Sequence, residues 1–258
     1  VKCLWDLRKE GNVRMSLSTK SRRKAGLLIL AVTGLLAVTP MLSGCGGSGR
    51  EEALKQAVYV GTGGYDPAND GKIVIVCGKL ELLEPAYDED LGITIEAPHV
   101  MRSGQKLKKK ELNQAMTGNN MEWNSNFQYG DFIGKADVGE FHLGEDFLQN
   151  MMVRYDPDLD EKMLEEAGYA IVRDFKGNTM EEDKNARPYV GTARMGRGIY
   201  EEGDVRYDYT VPGPKPGEMV TIIGIQNQDT INYVEGTYEN MLSGELDKDT
   251  AIHKTTHP

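Results

Sequence analysis

The stretch Ile73-Val74-Ile75-Val76-Cys77 decides the fold, because an unbroken apolar run of this kind predicts a strand with two buried faces. Side chains alternate along a strand, so Ile73, Ile75 and Cys77 are expected on one face and Val74 and Val76 on the other. A strand that is apolar on both faces is expected at the centre of its sheet. The thiol is therefore predicted to be buried and inert.

The segments next to this run predict a second strand. A turn-rich approach at 61–71 leads into the first strand, which is expected over 72–82. Residues 85–92 turn the chain, and the second strand is expected over 93–101, interrupted by Pro98. A hairpin between the two strands is the simplest arrangement, because consecutive strands usually pair.

The remaining chain alternates short helices with strands. Residues 105–116 have a helix-forming composition, and their basic cluster at 106–110 is expected on a solvated helix face. Further elements are predicted as a strand over 121–129, helices within 144–153 and over 160–167, and strands over 169–175, 189–193, 205–211, 219–226 and 231–234. The predicted fold class is mainly β with a few short helices (α+β), arranged as an antiparallel, partly closed barrel or a sandwich.

The stretch Leu42-Ser43-Gly44-Cys45 has the form of a lipobox. A basic n-region at 20–24 and a charge-free segment at 25–44 precede the cysteine, which is the pattern of an export signal. Glycine-rich residues 46–49 follow as a flexible tether. We therefore expect Cys45 to carry lipid and to begin the mature chain of a membrane-anchored lipoprotein.

An uncleaved transmembrane helix is the alternative interpretation, since a bilayer needs a run of about 20 apolar residues. Pro40, the small residues Ser43 and Gly44, and the glycines after Cys45 favour cleavage instead. Met15 opens a normal n-region, so translation is expected to start there rather than at Val1.

Four segments follow from these patterns. They are an upstream extension with a lipoprotein signal peptide at 1–44, the lipidated cysteine and tether at 45–57, a β-rich domain at 58–237, and a polar C-terminal tail at 238–258 that is expected to fray.

Composition limits the classes of partner. The chain has a net charge of −10, and the segment from Cys45 onward has 22 basic against 38 acidic residues, a net charge of −16. Such a surface repels phosphates, so binding to nucleic acid is not expected. Apart from Cys45, only Cys77 remains in that segment, which rules out an internal disulfide between other cysteines.

Motifs for catalysis or metal binding are weak. The acidic runs at 156–167 and 66–77 lack residues that a calcium loop requires. His99 and His142 are far apart in sequence, and His253 and His257 lie in the predicted tail, so no zinc ligand set can be assembled. No serine lies in a Gly-x-Ser-x-Gly turn. No cofactor, metal or catalytic residue is predicted.

Five blocks of strand-like and turn residues follow one another at 69–80, 88–102, 138–143, 203–207 and 220–226. In this order, and over 59–234, they resemble the extracytoplasmic domain of the LUMA family, which comprises transmembrane protein 43 and its bacterial relatives. It implies a membrane-associated, non-enzymatic domain that organises membrane complexes. The sequence departs from the family after its second block, where a lysine cluster replaces an aromatic-rich strand, and in lacking the transmembrane helices that normally follow the domain.

The leading hypothesis is a non-enzymatic binding or scaffold module of the cell envelope, anchored through Cys45 and in contact with envelope proteins. Gly46 is not the aspartate that commonly retains lipoproteins at the inner membrane, so the outer membrane is expected in a Gram-negative cell. The alternative is a secreted hydrolase whose acidic and histidine residues are dispersed in sequence. A solute-binding lipoprotein is less favoured, because alternating βα units are not apparent.

Overall fold

A computed structural model describes residues 52–109, 121–177 and 179–257. Over these residues the strands are β1 (Val58–Gly61), β2 (Ile73–Glu84), β3 (Ala86–Asp88), β4 (Ile93–Ile95), β5 (His99–Lys109), β6 (Met121–Ile133), β7 (Lys135–Val138), β8 (Phe141–Leu143), β9 (Val153–Tyr155), β10 (Tyr169–Val172), β11 (Tyr189–Thr192), β12 (Val205–Pro212), β13 (Met219–Asn227), β14 (Thr230–Asn232) and β15 (Met241–Ser243). Residues 52–55 are helical, and the helices that follow are α1 (Glu145–Gln149), α2 (Glu161–Glu166) and α3 (Lys248–Thr256), with 3₁₀ turns at Pro67–Asn69 and Met195–Arg197.

The strands form two sheets and one short hairpin. The large sheet has the order β1-β2-β7-β8-β14-β13-β15, with a further pairing between β2 and β13. The second sheet has the order β10-β11-β12-β5-β6, and β9 pairs with β12 beyond this path. Strands β3 and β4 form a separate two-stranded sheet. The sheets are antiparallel or mixed and are not closed into a barrel, so the prediction of a mainly β fold with short helices is confirmed in its sandwich form.

Strand β2 is central in the large sheet, as its apolar run predicts. It pairs with β1 and with β13 over its first half and with β7 over its second half. Val74 and Val76 pack into a core with Phe141, Phe147 and other side chains on one face. Ile75 packs on the opposite face in a different core. Both faces are therefore covered, which explains the unbroken apolar run at 73–77.

The predicted hairpin between the first two strands is wrong. Residues 93–95 form β4, which pairs with β3, and β5 begins after Pro98 and pairs with β6 and β12. Proline cannot donate to a sheet ladder, so the chain changes direction there and enters the second sheet.

The predicted helix over 105–116 is also wrong where it can be tested. Residues 105–109 belong to β5, and residues 110–116 lie outside the described residues. Leu107 is fully buried while Lys108 and Lys109 are exposed, and cross-strand packing of Leu107 outweighs the helix propensity of the lysines.

The C-terminal segment is ordered rather than frayed. Strand β15 pairs with β13, and α3 begins at the N-cap Asp247, whose carboxylate accepts a hydrogen bond from Thr250 N at 3.0 Å. Leu242, Ala251 and Ile252 pack against the face of the large sheet that carries Ile75. Most of the few apolar residues of this segment pack into this one core. The prediction of a frayed tail is based on the polar composition of the segment and does not consider this packing. No helix within the described ranges is long and apolar enough to cross a membrane.

Candidate functional site

The outer face of the second sheet carries an open depression. The register places Met101 of β5 between Asp131 of β6 and Thr210 of β12, and it places Ser103 next to Tyr129 of β6. Directly paired residues project from the same face of a sheet, so these five side chains form one patch. They line a depression of about 410 Å³, which we call the sheet-face depression. Its volume lies within the range of about 300–1,000 Å³ that small-molecule sites occupy.

A buried histidine holds the carboxylate of this patch. His99 Nε2 is hydrogen-bonded to Asp131 Oδ1, with the ring 1% exposed and the carboxylate 56% exposed. The ring is enclosed and leaves the Asp131 carboxylate accessible, so the carboxylate is oriented and still open to hydrogen bonds from solvent or a ligand. His99 Nδ1 is buried, and no residue of the described ranges forms a hydrogen bond with it.

A second carboxylate lies at the inner margin of the patch. Asp208 is placed next to Ser103 by register, and its side chain is only 14% exposed. Burial raises the pKa of Asp208, although Arg187, at 3.0 Å, acts in the opposite direction. Arg187 also bonds Asp156. Each carboxylate of the patch therefore already contacts one basic side chain.

A filled aromatic cage adjoins the patch on the same sheet. The Arg206 guanidinium lies 4.3 Å from the ring centroid of Trp123 and 3.6 Å from that of Tyr189. It donates hydrogen bonds to Gln105 Oε1 at 2.8 Å and to Asp174 Oδ1 at 2.5 Å. Burial lowers the pKa of Arg206, and its bond to Asp174 opposes that effect. Because the arginine itself occupies the cage, this cluster is structural and leaves no room for a ligand.

The opposite face of the same strands is held by a second buried arginine. Arg102 lies between the rings of Phe132 and Tyr207, at 5.2 and 5.1 Å from their centroids. Gly130 is required here, because a Cβ at that position would lie 2.5 Å from ring atoms of Phe132 and 3.2 Å from Arg102 Nε. This packing makes the strands beneath the depression a rigid support.

Another depression, of about 410 Å³, lies at the end of the hairpin β3–β4. Leu82, Ile95, Tyr155 and Val211 contribute its apolar lining. Lys215 lies 5.2 Å from the Tyr155 ring centroid and 3.9 Å from Asp158, so a cation–π contact and a salt bridge already involve these two charged residues. The exposed side chain of Glu96 also lines this depression, but no aromatic ring in its lining is as exposed as Tyr129.

The predicted lipidation site lies outside the described residues. Leu42, Ser43, Gly44 and Cys45 all precede residue 52, where the described chain begins. Cys77 is a free, buried thiol, and it lies 3.4 Å from Thr221 Oγ1 in the core. The prediction of a buried cysteine at this position is confirmed.

The histidines do not converge. His142 Nδ1 is 2.6 Å from Asp137 Oδ1, and its Nε2 is 4.0 Å from Asp229. The bond to Asp137 raises the pKa of His142. His253 and His257 stack on one another in and after α3, with ring centroids 4.7 Å apart. Within the described ranges, no three His, Cys, Asp or Glu side chains are grouped as metal ligands.

The acidic runs that were compared with calcium loops have structural roles. Asp66 accepts a hydrogen bond from Ala68 N and caps a 3₁₀ turn. Asp160 accepts bonds from Lys162 N and Met163 N and caps α2. Asp156 is paired with Arg187. These carboxylates satisfy backbone donors and an arginine, as helix and turn caps commonly do.

Sequence reasoning did not identify the sheet-face depression. His99 and Asp131 are 32 residues apart, and nothing in either segment indicates which strands pair. The available signal was the alternation of Met101 with Ser103 and of Tyr129 with Asp131 along their strands, but the helix expected over 105–116 separated these segments.

The chain matches no family model, no curated protein and no solved structure. The resemblance to the LUMA family therefore stays a prediction.

Proposed function

We propose that this protein is a non-enzymatic binding or scaffold module that a lipid on Cys45 tethers to a membrane of the cell envelope. The observation that carries the proposal is the stretch Leu42-Ser43-Gly44-Cys45, which follows a basic n-region and a charge-free segment. A lipoprotein cysteine carries two or three acyl chains, and each buried methylene contributes about 0.8 kcal/mol, so the anchor dissociates slowly.

The described residues support a binding role through their exposed surface. The sheet-face depression presents side chains of different chemistry, Tyr129 and Asp131 among them, on strands that a buried arginine cluster supports. Binding sites on rigid strands keep their geometry without a ligand. The acidic surface favours solubility of the tethered domain in the aqueous compartment next to the membrane.

Acyl labelling tests the anchor. Cys45→Ala in the full chain is expected to abolish incorporation of labelled palmitate, because the thiol is the acceptor of the lipid, and to leave a slower-migrating precursor. Ser43→Ala is the matched control, since alanine keeps a small residue before the cysteine. Unchanged labelling of Cys45→Ala would contradict the proposal. Fractionation of a Gram-negative host then tests the expected location in the outer membrane, which Gly46 favours.

A secreted hydrolase is the second candidate, and the observation that favours it is the His99–Asp131 pair, whose carboxylate lines the same depression as Ser103. The test is a panel of ester, peptide, glycoside and phosphoester substrates, together with metal analysis of the purified protein. Turnover that is lost in His99→Ala, with folding retained, would replace the binding role by an enzymatic one.

A further inference from the structure

We infer that the sheet-face depression binds a neutral pyranose sugar. The inference deepens the proposed function and rests on it, because it names the ligand class of a binding module. It is carried by one exposed aromatic ring, one oriented carboxylate and two hydroxyl groups that the register of β5, β6 and β12 brings onto one face.

Tyr129 supplies the stacking surface. Its side chain is 70% exposed on β6, which is the outer strand of the second sheet, and no other large apolar side chain in the described ranges has a higher exposed fraction. Contact between an exposed aromatic ring and water is unfavourable, and an apolar ligand face that covers the ring removes this contact. The C–H face of a pyranose is flat, apolar and matched in size to a single ring, so it is a suitable partner for Tyr129.

The polar groups around the ring suit hydroxyl groups. The Asp131 carboxylate is accessible and only accepts hydrogen bonds, whereas the hydroxyls of Ser103 and Thr210 both donate and accept. A sugar hydroxyl also donates and accepts, so one ring can satisfy all three groups. His99 acts as a positioning residue, because it holds Asp131 Oδ1 from the buried side.

The charges of the patch favour a neutral ligand over an ion. Asp131 contacts His99, and Asp208 contacts Arg187, so neither carboxylate lacks a basic neighbour. An anionic ligand would meet the exposed Asp131 carboxylate in a chain of strongly acidic composition. A cationic ligand would gain little electrostatic attraction, because His99 and Arg187 already compensate much of the negative charge of these carboxylates. Neutral hydroxyl donors are therefore the better match.

Ligand-observed NMR on the full chain purified in detergent tests the inference. The probes are cellotriose, chitotriose and maltotriose, and saturation transfer from the protein to at least one of them is expected. Tyr129→Ala is expected to weaken binding about tenfold or more, as loss of a central aromatic contact commonly does. Tyr129→Phe keeps the ring and is expected to retain affinity. Tyr238→Ala, at another exposed tyrosine, is the matched control.

The carboxylate is tested in the same way. Asp131→Asn is expected to weaken sugar binding several-fold, because an amide replaces one acceptor by a donor. Asp158→Asn is the control, since that carboxylate is exposed outside the depression. His99→Gln is expected to weaken binding and to change the carbon-13 chemical shift of the Asp131 carboxylate, because the ring nitrogen that bonds Oδ1 is lost. Loss of stability alone would not change that signal in the folded protein.

Two further experiments distinguish the possible sources of the sugar and test a cationic ligand as the alternative. Sedimentation with insoluble peptidoglycan distinguishes a wall polymer from a free oligosaccharide, and binding to either supports the inference if it depends on Tyr129. Choline is the cationic probe, and Tyr129-dependent binding of choline without any sugar would overturn the inference. Absence of binding to all sugars would also overturn it. Neither result affects acyl labelling at Cys45, so failure of the inference is distinguishable from failure of the proposed function.

Discussion

Arg102 and Asp88 form a paired contact in the interior, in which Arg102 Nη1 donates to both carboxylate oxygens of Asp88, at 2.7 and 2.6 Å. The side chains are 3% and 1% exposed. Tyr209 donates its hydroxyl proton to Asp88 Oδ2 at 2.6 Å. Burial raises the pKa of Tyr209, and its bond to Asp88 acts in the same direction, so the phenol stays a donor. This cluster joins the hairpin β3–β4 to the second sheet.

Removing the buried carboxylate is expected to destabilise the protein strongly. Asp88→Ala leaves Arg102 buried without its main partner and should cost about 3–5 kcal/mol in free energy of unfolding. Tyr209→Phe removes one hydrogen bond to a charged group and should cost about 1.5–3 kcal/mol. Urea unfolding measures both. Asp90→Ala is the control, because its carboxylate also bonds Arg102 but is 64% exposed. An equal cost for Asp88→Ala and Asp90→Ala would show that burial does not govern this cluster.

A charge in the central strand should be poorly tolerated. Val76 is 1% exposed on β2, so Val76→Asp buries a carboxylate without a partner and is expected to lower the free energy of unfolding by several kcal/mol. Thermal unfolding followed by circular dichroism measures the change. Lys79→Asp, on the same strand at an exposed position, should alter stability by only about 0.5 kcal/mol. A small effect of Val76→Asp would mean that this strand is accessible to water.

The C-terminal helix should contribute to stability. Ile252 is 4% exposed and packs with Ile75 and Ile223, so Ile252→Ala is expected to cost about 2–4 kcal/mol through lost burial and the cavity left behind. His253→Ala, one position along and exposed, is expected to be nearly neutral. Chemical denaturation of the two variants provides the measurement. If both behaved alike, α3 would not be packed on the large sheet.

The pair His142–Asp137 should make stability depend on pH. Hydrogen bonding to Asp137 raises the pKa of His142 above its unfolded value of about 6.5. A raised folded pKa means that the protonated ring stabilises the fold below about pH 6.5 and that this contribution disappears as pH rises through the folded pKa. The ring is 56% exposed, so the effect is reduced by solvent. Denaturation midpoints between about pH 5 and 8 should fall with pH, and His142→Gln should flatten this part of the curve. Identical curves for both proteins would contradict the prediction.

Sequence alone determined the elements whose pattern is local. The unbroken apolar run Ile73-Val74-Ile75-Val76 located a central strand, because side chains alternate between the two faces of any strand and such a run is therefore apolar on both. Asp160 and Gly168 marked the start and end of α2 in the same way, because capping depends on near neighbours. The predicted lipobox at Cys45 is likewise a local pattern.

Only the tertiary structure decided which strands pair and what lies on each face. The contacts of His99 with Asp131 and of Arg206 with Asp174 each join residues that are 32 positions apart. The first contact depends on the register of β5 against β6. Register is set by packing between distant segments, and a shift of one residue would move every side chain to the other face. For the same reason, the sequence predicted a polar tail at the C-terminus, whereas in the structure most of its few apolar side chains pack on the face of β2 that carries Ile75.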